Sequence, residues 1–386
     1  QSMIISVCQK DDKLILPRNV HRSTINAMIL SGAVPVYVNP GIDERLGIPL
    51  GMSVQDIIQA MDRHPDAKAV LINNPTYYGI CSNLKAIVKA AHARGMLVLC
   101  DEAHGTHLSF SEHLPISAMA AGADMSSVSM HKSGGSLTQS SFLLCGPKIN
   151  AQHVRQIINL TQTTSASYLL LASLDLSRKK LALNGEDIFA KVTQMAEYAR
   201  SEINRIGDYY AFSSELIDGD LIFDFDVTKL AVNTLDIGLA GVEVYDYLRD
   251  EYDIQIEFGD VGNMLAYISI GDRLRDIERL VGALSEIRRR HKKSGAHMLE
   301  TEYVTPVVML PPRDAFFAPY TSVKLEESRG RICSEFVMCY PPGIPILAPG
   351  EQITSEIIEH IRYVKSKGSF LTGTQDPAVE SINVIK

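Results

Sequence analysis

Short apolar runs alternate with helix-like segments along the first third of the chain, and this alternation restricts the possible fold more than any other feature. From about Lys13 to Cys145 the apolar runs are DKLIL, AVPVYV, AKAVLIN, MLVLC, MSSVSM and SFLLCG. Between them lie STINAMILSG, SVQDIIQAMDRH, LKAIVKAAHARG and ISAMAAG, three of which end at Gly32, Gly95 and Gly122. Such alternation with nearly continuous apolar strands predicts an α/β fold with a mostly parallel sheet covered by helices on both faces.

The remainder of the chain divides into two smaller parts. A long helical stretch, YLLLASLDLSRKKLAL followed by GEDIFAKVTQMAEYARSEINRIG, completes a large domain predicted at 1–205. Mixed strand and helix patterns then predict a small α+β domain at 206–293. The polar run RRRHKKSGAH is typical of a linker, and the Pro-rich remainder predicts a C-terminal α+β domain at 300–386.

Composition narrows the class of protein. The 37 Lys and Arg against 45 Asp and Glu residues give a net charge of −8, which disfavours a nucleic-acid surface. The six cysteines form no C-x-x-C pair, a pattern typical of buried thiols in a reducing compartment, so we expect a cytoplasmic protein. No apolar stretch is long enough to span a bilayer. The sequence opens at Gln1 inside a helix-like segment, QSMIISVC, so we expect a preceding segment.

Two motifs with reactive side chains follow predicted buried strands. DEAHGTH (101–107) follows the apolar run Leu97–Cys100, and SMHKSGG (129–135) follows the next strand. Ligands of open α/β sheets bind at the carboxyl ends of the strands. We therefore expect NNPTYYG, DEAHGTH and MHKSGG at one edge of the sheet, with Asp101 and Lys132 meeting at one ligand.

Three interpretations compete for DEAH. An ATPase Walker B strand would require an upstream G-x-x-x-x-G-K-[ST] loop, which this sequence lacks. A metal site would use Asp101, His104, His107 and His113, but their spacing fits no helical H-x-x-x-H pair and no Cys/His cluster accompanies them, so we expect no metal. Pyridoxal phosphate needs a lysine for its Schiff base and a carboxylate against its ring nitrogen, and Lys132 with Asp101 supplies both.

Each of these residues also has an ordinary explanation. A lysine is usually a solvated surface group, a strand-end Asp commonly caps a turn, and His21 or His104 can be structural. Their conjunction at one sheet edge favours the cofactor. Ala103 is small enough to let the ring lie close, and His104 is placed to hydrogen-bond the phenolic oxygen of the ring.

Six motifs in order along the chain carry a resemblance to a known family. They are PRNVHRS, NPTYYG, DEAHGTH, SMHKSGGSLTQSS, TTSASYLLLASLD and YPPGIPILAPGE. Over almost its whole length the chain resembles the ornithine/lysine/arginine decarboxylases, which are fold-type I pyridoxal-phosphate enzymes. Within that family it is most similar to the short bacterial members that convert arginine to agmatine for polyamine synthesis. The resemblance implies decarboxylation of a basic amino acid, above all L-arginine, by a homodimer with shared active sites.

The resemblance also implies roles for the residues at matching positions. Lys132 matches the Schiff-base lysine, Asp101 the acid against the ring nitrogen, and His21 the histidine that stacks on the ring face. His104 stands where larger members carry Trp, and it agrees with the DEAH form of other fold-type I enzymes, which implies the contact with the ring oxygen.

Further contacts are implied for the phosphate of the cofactor. Ser129 and His131 are implied contacts of the phosphate or the Schiff base. The resemblance assigns contacts with the phosphate of the neighbouring subunit to Thr163, Thr164 and Ser165. It also places a Ser/Thr/Gly-rich phosphate loop just before the stretch that starts at Gln1.

The substrate side is less determined by the sequence. Glu257 and Asp260 in IEFGD are the candidates for binding a guanidinium, because the family places substrate contacts in this segment, although a solvated strand residue is an equal explanation for Glu257. Either His131 or Lys132 would protonate the product carbanion. Alternatives are a lysine or ornithine decarboxylase, an aminotransferase with Arg313 binding the α-carboxylate, another lyase of the same fold type, or a non-catalytic truncated homologue without the cofactor.

Overall fold

Strands and helices alternate through the first part of the chain. The structure is a computed structural model that describes residues 1–293, 307–340, 343–366 and 370–386. The strands of this part are β1 (Lys13–Pro17), β2 (Val34–Val38), β3 (Ile42–Asp43), β4 (Ile48–Pro49), β5 (Ala69–Asn73), β6 (Ile80–Cys81), β7 (Leu97–Asp101), β8 (Met125–Val128) and β9 (Phe142–Cys145). The helices are α1 (Ser2–Val7), α2 (Arg22–Ser31), α3 (Val54–Arg63), α4 (Leu84–His92), α5 (Met130–Ser133), α6 (Ala151–Thr161) and α7 (Tyr168–Ile206).

A six-stranded sheet in the order β2-β1-β5-β7-β8-β9 forms the centre of this part. All neighbouring strands pair in parallel except β9, which runs antiparallel to β8 at the edge. Successive residues of β1 face opposite sides of the sheet: Leu14 and Leu16 pack with α1 and α2, whereas Ile15 packs with α3 and α4. The predicted mostly parallel sheet with helices on both faces is therefore confirmed.

All three glycines predicted to end helices have a positive φ, but only Gly32 and Gly95 follow a helix. Gly32 follows α2 in the left-handed conformation with φ of 83°, which glycine adopts without steric cost. The helix predicted for ISAMAAG does not form, so that prediction is wrong. Ala118 donates its backbone N–H to Glu102 Oε1, and Ala123 N returns to Ala118 O, which closes a single turn instead of a helix.

A second, antiparallel sheet follows the first part. It contains β10 (Tyr210–Ala211), β12 (Lys229–Asn233), β13 (Phe258–Gly259) and β14 (Asn263–Tyr267) in the order β10-β12-β14-β13. In the chain, β11 (Asp224–Phe225) lies between β10 and β12, but it pairs with β6 of the first part instead of joining this sheet. Two helices, α8 (Gly241–Tyr252) and α9 (Leu274–His291), pack on this sheet. The strands and helices expected for the small α+β part are present.

The helix α7 joins the first part to the second. It continues for 39 residues through both predicted helical segments. Phe189, Val192 and Ile203 on α7 belong to the core that also contains residues of α8, α9, β12 and β14. At Gly185 the helix backbone passes close to Phe110, since a Cβ there would lie 2.8 Å from the Cβ of Phe110. A side chain at position 185 would therefore separate α7 from the loop after β7.

The last part of the chain is built from short strands and two helices. They are β15 (Val307–Val308), α10 (Pro312–Phe317), β16 (Tyr320–Lys324), β17 (Val337–Tyr340), β18 (Ile344–Leu347), β19 (Glu351–Gln352), α11 (Ser355–Ser366), β20 (Phe370–Thr372) and β21 (Ser381–Ile385). Of the predicted linker, Arg288–His291 belong to α9 and the portion from Ser294 lies outside the described residues. None of the six cysteines, all of which lie in the described residues, forms a disulfide bond. Within the described residues, no helix is both long and apolar enough to cross a membrane.

A buried ion pair joins the last part to the central sheet. Arg18, just after β1, lies 2.9 Å from Glu351 Oε2 and donates to the carbonyl of Pro345. Both charged side chains are only 2–3% exposed. Phe336 and Met338 extend the contact by packing into the core formed under α1 and α2. Burial raises the pKa of Glu351, and the charge of Arg18 lowers it. Either charge alone would be unfavourable in the core, and the ion pair offsets that cost.

Removing one partner of this pair should destabilise the protein strongly. We expect Arg18→Met to lower the free energy of unfolding by about 3–5 kcal/mol, because Glu351 would stay buried without a countercharge. Urea denaturation at pH 7 measures the loss. The double variant Arg18→Met/Glu351→Gln should lose less than Arg18→Met alone. Equal losses in the two variants would contradict this explanation.

Candidate active site

The carboxyl ends of three parallel strands meet at one edge of the central sheet. Asp101, the last residue of β7, pairs with Asn73 at the end of β5 and with Ser127 in β8. The segments that leave these strands are NNPTYYG, DEAHGTH and SMHKSGG. The prediction that the three motifs share one edge is confirmed, and the reason is the in-register parallel pairing of their strands.

Lys132 lies in a short helix, α5, directly after β8. Its Nζ lies 3.0 Å from Nε2 of His104 and 5.9 Å from the centre of the Tyr77 ring. Burial lowers the pKa of Lys132, and the charges of Asp101 and Glu257 oppose this effect. The lowered pKa increases the fraction of the neutral amine, which is the nucleophilic form of a lysine.

His104 is a buried, neutral histidine. Its pKa lies well below the usual value, because burial disfavours the charged ring and the cations of Lys132 and Lys229 add to that effect. The ring centre lies 4.3 Å from that of Tyr77. Nδ1 of His104 is buried and has no hydrogen-bond partner among the described residues. An unpaired buried nitrogen beside the lysine amine fits a site for a polar ligand atom.

His21 and Asp101 complete the polar group around Lys132. The carboxylate of Asp101 accepts the backbone N–H of Ala103 at 3.2 Å, which fixes the turn into DEAHGTH. His21 caps α2, since its Nδ1 accepts from the backbone N–H of Ser23. Desolvation lowers the pKa of His21, although part of the residue is exposed at the surface. The charge of Asp101 raises this pKa, and that of Lys132 lowers it further.

Ser129 and His131 flank the lysine. Ser129 precedes α5, and its carbonyl accepts the backbone N–H of Lys132 at 3.0 Å. Nδ1 of His131 lies 2.8 Å from the carbonyl oxygen of Ser140, so this nitrogen carries the proton and donates it. The structure therefore leaves Nε2 as the ring nitrogen of His131 that is open to other contacts. The assigned roles of both residues remain predictions.

Thr163, Thr164 and Ser165 lie apart from this group. They form an exposed loop between α6 and α7, and the backbone N–H of Ser165 donates to Thr163 Oγ1 at 3.1 Å. In this chain they make no described contact with Lys132, Asp101 or His104. Their implied role concerns a neighbouring subunit and stays a prediction.

The two substrate candidates differ in their surroundings. Glu257 is exposed beside β13, and its charge acts on Lys132 and Lys229. Asp260 is occupied by internal contacts: it accepts hydrogen bonds from the hydroxyl of Tyr78 and from the backbone N–H groups of Gly262 and Asn263. Glu257 is therefore close enough for its charge to act on Lys132, whereas Asp260 has a structural set of contacts.

Sequence reasoning missed a buried polar cluster beneath the DEAHGTH loop. Lys229 Nζ donates to the backbone carbonyl of His104 at 2.9 Å, and its side chain has no exposed surface. His107 lies 2.9 Å from Asp226 Oδ2. The signal was present in DFDVTKLAV, where an acid and a lysine three positions apart interrupt an otherwise apolar run.

In the described part of the chain, no group of three or more His, Cys, Asp or Glu side chains is arranged to hold a metal ion.

Glu102, the second residue of DEAH, is also buried and was missed. Its carboxylate accepts the backbone N–H of Ala118 at 2.8 Å and the hydroxyl of Ser126 at 2.7 Å. Burial raises the pKa of Glu102 to about 7, although these two hydrogen bonds lower it. Glu102 thus ties the turn after β7 to β8 and to the loop that replaces the predicted helix.

The raised pKa of Glu102 should make stability depend on pH. The folded protein binds a proton up to about pH 7, whereas the unfolded chain releases it near 4.5, so this contribution to stability is lost as the pH rises through that window. We expect the unfolding free energy of Glu102→Gln, relative to that of the wild type, to rise by at most roughly 1.4 kcal/mol per pH unit between 4.5 and 7. Urea denaturation across this range tests it. Glu112→Gln, in the exposed part of the same loop, should run parallel to the wild type.

Comparison with solved structures identifies the fold class. A lysine decarboxylase from Francisella novicida superimposes with a TM-score of 0.84 at 19% identity, covering 100% of this chain and 68% of that protein. An alanine–glyoxylate aminotransferase from Nostoc superimposes with a TM-score of 0.57 at 14% identity, covering 74% of this chain and 78% of that protein. At such identities the likeness concerns the fold alone. The fold is that of the fold-type I pyridoxal-phosphate enzymes.

Sequence comparison then identifies the family. Residues 1–231 match the model of the Orn/Lys/Arg decarboxylase major domain, and residues 298–374 match that of the Orn/Lys/Arg decarboxylase C-terminal domain. An arginine decarboxylase from Halalkalibacterium halodurans is 45% identical, and one from Bacillus subtilis 42%, each aligned with 100% of this chain and 79% of the relative. The chain belongs to the Orn/Lys/Arg decarboxylase family.

Proposed function

We propose that this chain decarboxylates L-arginine to agmatine and CO2 with pyridoxal phosphate as cofactor. The observation that carries the proposal is the position of the partly buried Lys132 amine at the strand ends, where it lies beside the neutral His104 and the charge of Asp101 acts on it. Support for arginine comes from relatives named arginine decarboxylase that are 42–45% identical over the whole chain. The relatives named lysine decarboxylase in Escherichia coli are 22–23% identical, which makes lysine the second candidate.

The residues at the sheet edge fit this cofactor. Among the described residues, His104 Nδ1 is buried without a partner. The pKa of Lys132 is lowered, and the charge of Asp101 acts on its amine while the Asp101 carboxylate accepts the N–H of Ala103. Lys132 would hold the cofactor as a Schiff base, Asp101 would bind the ring nitrogen, and His104 the ring oxygen. When bound, pyridoxal phosphate supplies an electron sink for the bond that is cleaved.

The protein's own residues orient the substrate and transfer protons. The neutral ring of His104 can donate or accept a hydrogen bond without adding a charge beside Lys132. His131 keeps its Nδ1–H on the carbonyl of Ser140, so it would protonate the product only as the imidazolium, with the proton on Nε2, and the Lys132 amine is the alternative donor. The Tyr77 ring, which lies beside both His104 and Lys132, is an apolar surface that favours loss of a carboxylate as neutral CO2.

Glu257 is the proposed contact of the substrate guanidinium. It is an exposed carboxylate whose charge reaches Lys132, so one substrate can contact both ends of the site. A planar guanidinium binds a carboxylate through two parallel hydrogen bonds. Asp260 is the weaker candidate, because Tyr78, Gly262 and Asn263 already occupy its oxygens.

We also propose that the working unit is a homodimer. Large apolar side chains on α6 and α7 are exposed in the single chain, as in Leu160, Tyr168, Leu169, Leu176 and Leu183. Exposed apolar groups of this extent on neighbouring helices are typical of a subunit interface. The loop of Thr163–Ser165 lies between these two helices, so a dimer formed there would carry it toward the neighbouring subunit.

Lys132 should be essential for the reaction. We expect Lys132→Ala to lower arginine decarboxylation by roughly 10³-fold or more and to abolish the absorbance of the Schiff base. Product assays with arginine, lysine and ornithine in parallel, with detection of CO2, amine and keto acid, measure the activity and its substrate. Borohydride reduction followed by peptide mapping locates the attachment point.

The outcomes of this experiment separate the candidates. Lys89→Ala, an exposed lysine on α4, is the matched control and should retain wild-type activity. A keto-acid product would favour an aminotransferase, and amine formed only from lysine would favour the second substrate. Attachment of the cofactor at a lysine other than Lys132 would contradict the proposed site.

Replacing Glu257 should weaken the binding of arginine. We expect Glu257→Gln to raise KM for arginine by roughly tenfold with a smaller effect on kcat, since a charged hydrogen bond to the guanidinium is lost. Steady-state kinetics measure both constants. Glu278→Gln, an exposed residue on α9, should leave KM unchanged. An unchanged KM in Glu257→Gln would reject Glu257 as the guanidinium contact.

A further inference from the structure

Lys229 is a fully buried cation that the proposed reaction does not use. Its Nζ donates to the backbone carbonyl of His104 at 2.9 Å, lies 3.4 Å from Asp226 Oδ2, and lies 3.3 Å from the centre of the Tyr267 ring. Burial lowers the pKa of Lys229 to about 8, while Asp226 opposes the shift. A buried cation is unfavourable unless its hydrogen bonds and countercharge are well placed. The group that Lys229 binds therefore indicates what this cation does in the structure.

Tyr267 donates to the same carbonyl. Its hydroxyl lies 3.1 Å from the carbonyl oxygen of His104. Lys229 begins β12 and Tyr267 ends β14, and the two residues are paired across the antiparallel sheet. Two neighbouring strands of the second sheet therefore place both donors on one main-chain atom of the DEAHGTH loop, at the residue whose ring touches Lys132.

The same cluster holds the loop at a second point. His107 Nε2 lies 2.9 Å from Asp226 Oδ2, and Thr228 Oγ1 donates to Asp226 Oδ1 at 2.7 Å. Burial raises the pKa of Asp226, but His107 and Lys229 outweigh burial and keep the carboxylate ionised. Asp226 N–H also donates to the carbonyl of Gly79 at 2.7 Å, which connects the cluster to NPTYYG.

We propose that Lys229 and Tyr267 are positioning residues that hold the backbone at His104 and thereby keep the His104 ring against the amine of Lys132. Lys229 and Tyr267 have no described contact with Lys132 Nζ, but both bind the carbonyl of His104, whose ring contacts that amine. They can therefore act on Lys132 only through His104. The part of the inference that concerns turnover rests on the proposed function. The part that concerns Lys132 in the chain without cofactor does not.

A role in positioning differs measurably from a role in folding alone. The test variants are Tyr267→Phe and Asp226→Asn/Lys229→Met. The first removes one hydrogen bond to the His104 carbonyl. The second removes the Lys229 cation together with its countercharge, so no unpaired charge stays buried. Ile361→Ala, in the core of the last part of the chain, is the matched control for lost stability. Circular dichroism defines a temperature at which every variant is folded.

Two readouts follow at that temperature. In the holoenzyme we expect kcat for arginine to fall roughly tenfold in Tyr267→Phe and roughly 100-fold in the double variant, with KM unchanged. In the cofactor-free chain, mass spectrometry follows acylation of Lys132 by acetic anhydride at fixed pH. This rate should rise roughly tenfold in both variants, because the His104 ring no longer stays at 3.0 Å from Nζ.

The controls make each outcome decisive. Ile361→Ala should match the wild type in both readouts, and His104→Ala should show the accelerated acylation. Wild-type acylation rates in both Tyr267→Phe and the double variant would overturn the inference; if the double variant does not fold, Tyr267→Phe decides alone. Should the wild type fail to decarboxylate arginine, the proposed function is wrong, and the acylation rates still judge the positioning role.

Discussion

Parallel pairing of β5, β7 and β8 is the constraint on which the rest of the site depends. In-register pairing ends the three strands at one edge, so Asn73, Asp101 and Ser127 are neighbours although they are far apart in the chain. The segments that follow must then leave the sheet on the same side. Lys132 reaches the region of Asp101 and His104 for this reason, and the charge of Asp101 acts on its amine.

Desolvation sets the chemical properties of the groups at that edge. It lowers the pKa of Lys132 and of His104 and raises that of Glu102, so the site combines a reactive amine, a neutral imidazole and a carboxyl group that is protonated near neutrality. Two buried ion pairs lie elsewhere in the protein, Arg18 with Glu351 and Lys229 with Asp226. The same physical cost therefore tunes the site and restricts where charges can be buried.

Sequence patterns predicted the large elements better than the local contacts. The periodicity of the strands and of α2, α3 and α4 reflects burial on one face or two, which apolar residues report directly. ISAMAAG carries a helical pattern but forms a turn, in which the N–H of Ala123 bonds to the carbonyl of Ala118. Asp260 was an equal candidate with Glu257 until its contacts with Tyr78 and Asn263 were visible. Lys229 was missed although Asp226 stands three positions before it, because the sequence does not show that both side chains are buried beneath the DEAHGTH loop.

The amino-acid sequence by itself determined the alternation of strands and helices, the residue types at the strand ends and the family, since these depend on local order and on motifs read in line. Only the tertiary structure decided which charges face each other. The burial that makes Lys132 a weaker base, the neutrality of His104, and the convergence of Lys229 and Tyr267 on one carbonyl arise from contacts between residues that are more than 100 positions apart or from the removal of water. Distances of that kind are set by the packing of the two sheets.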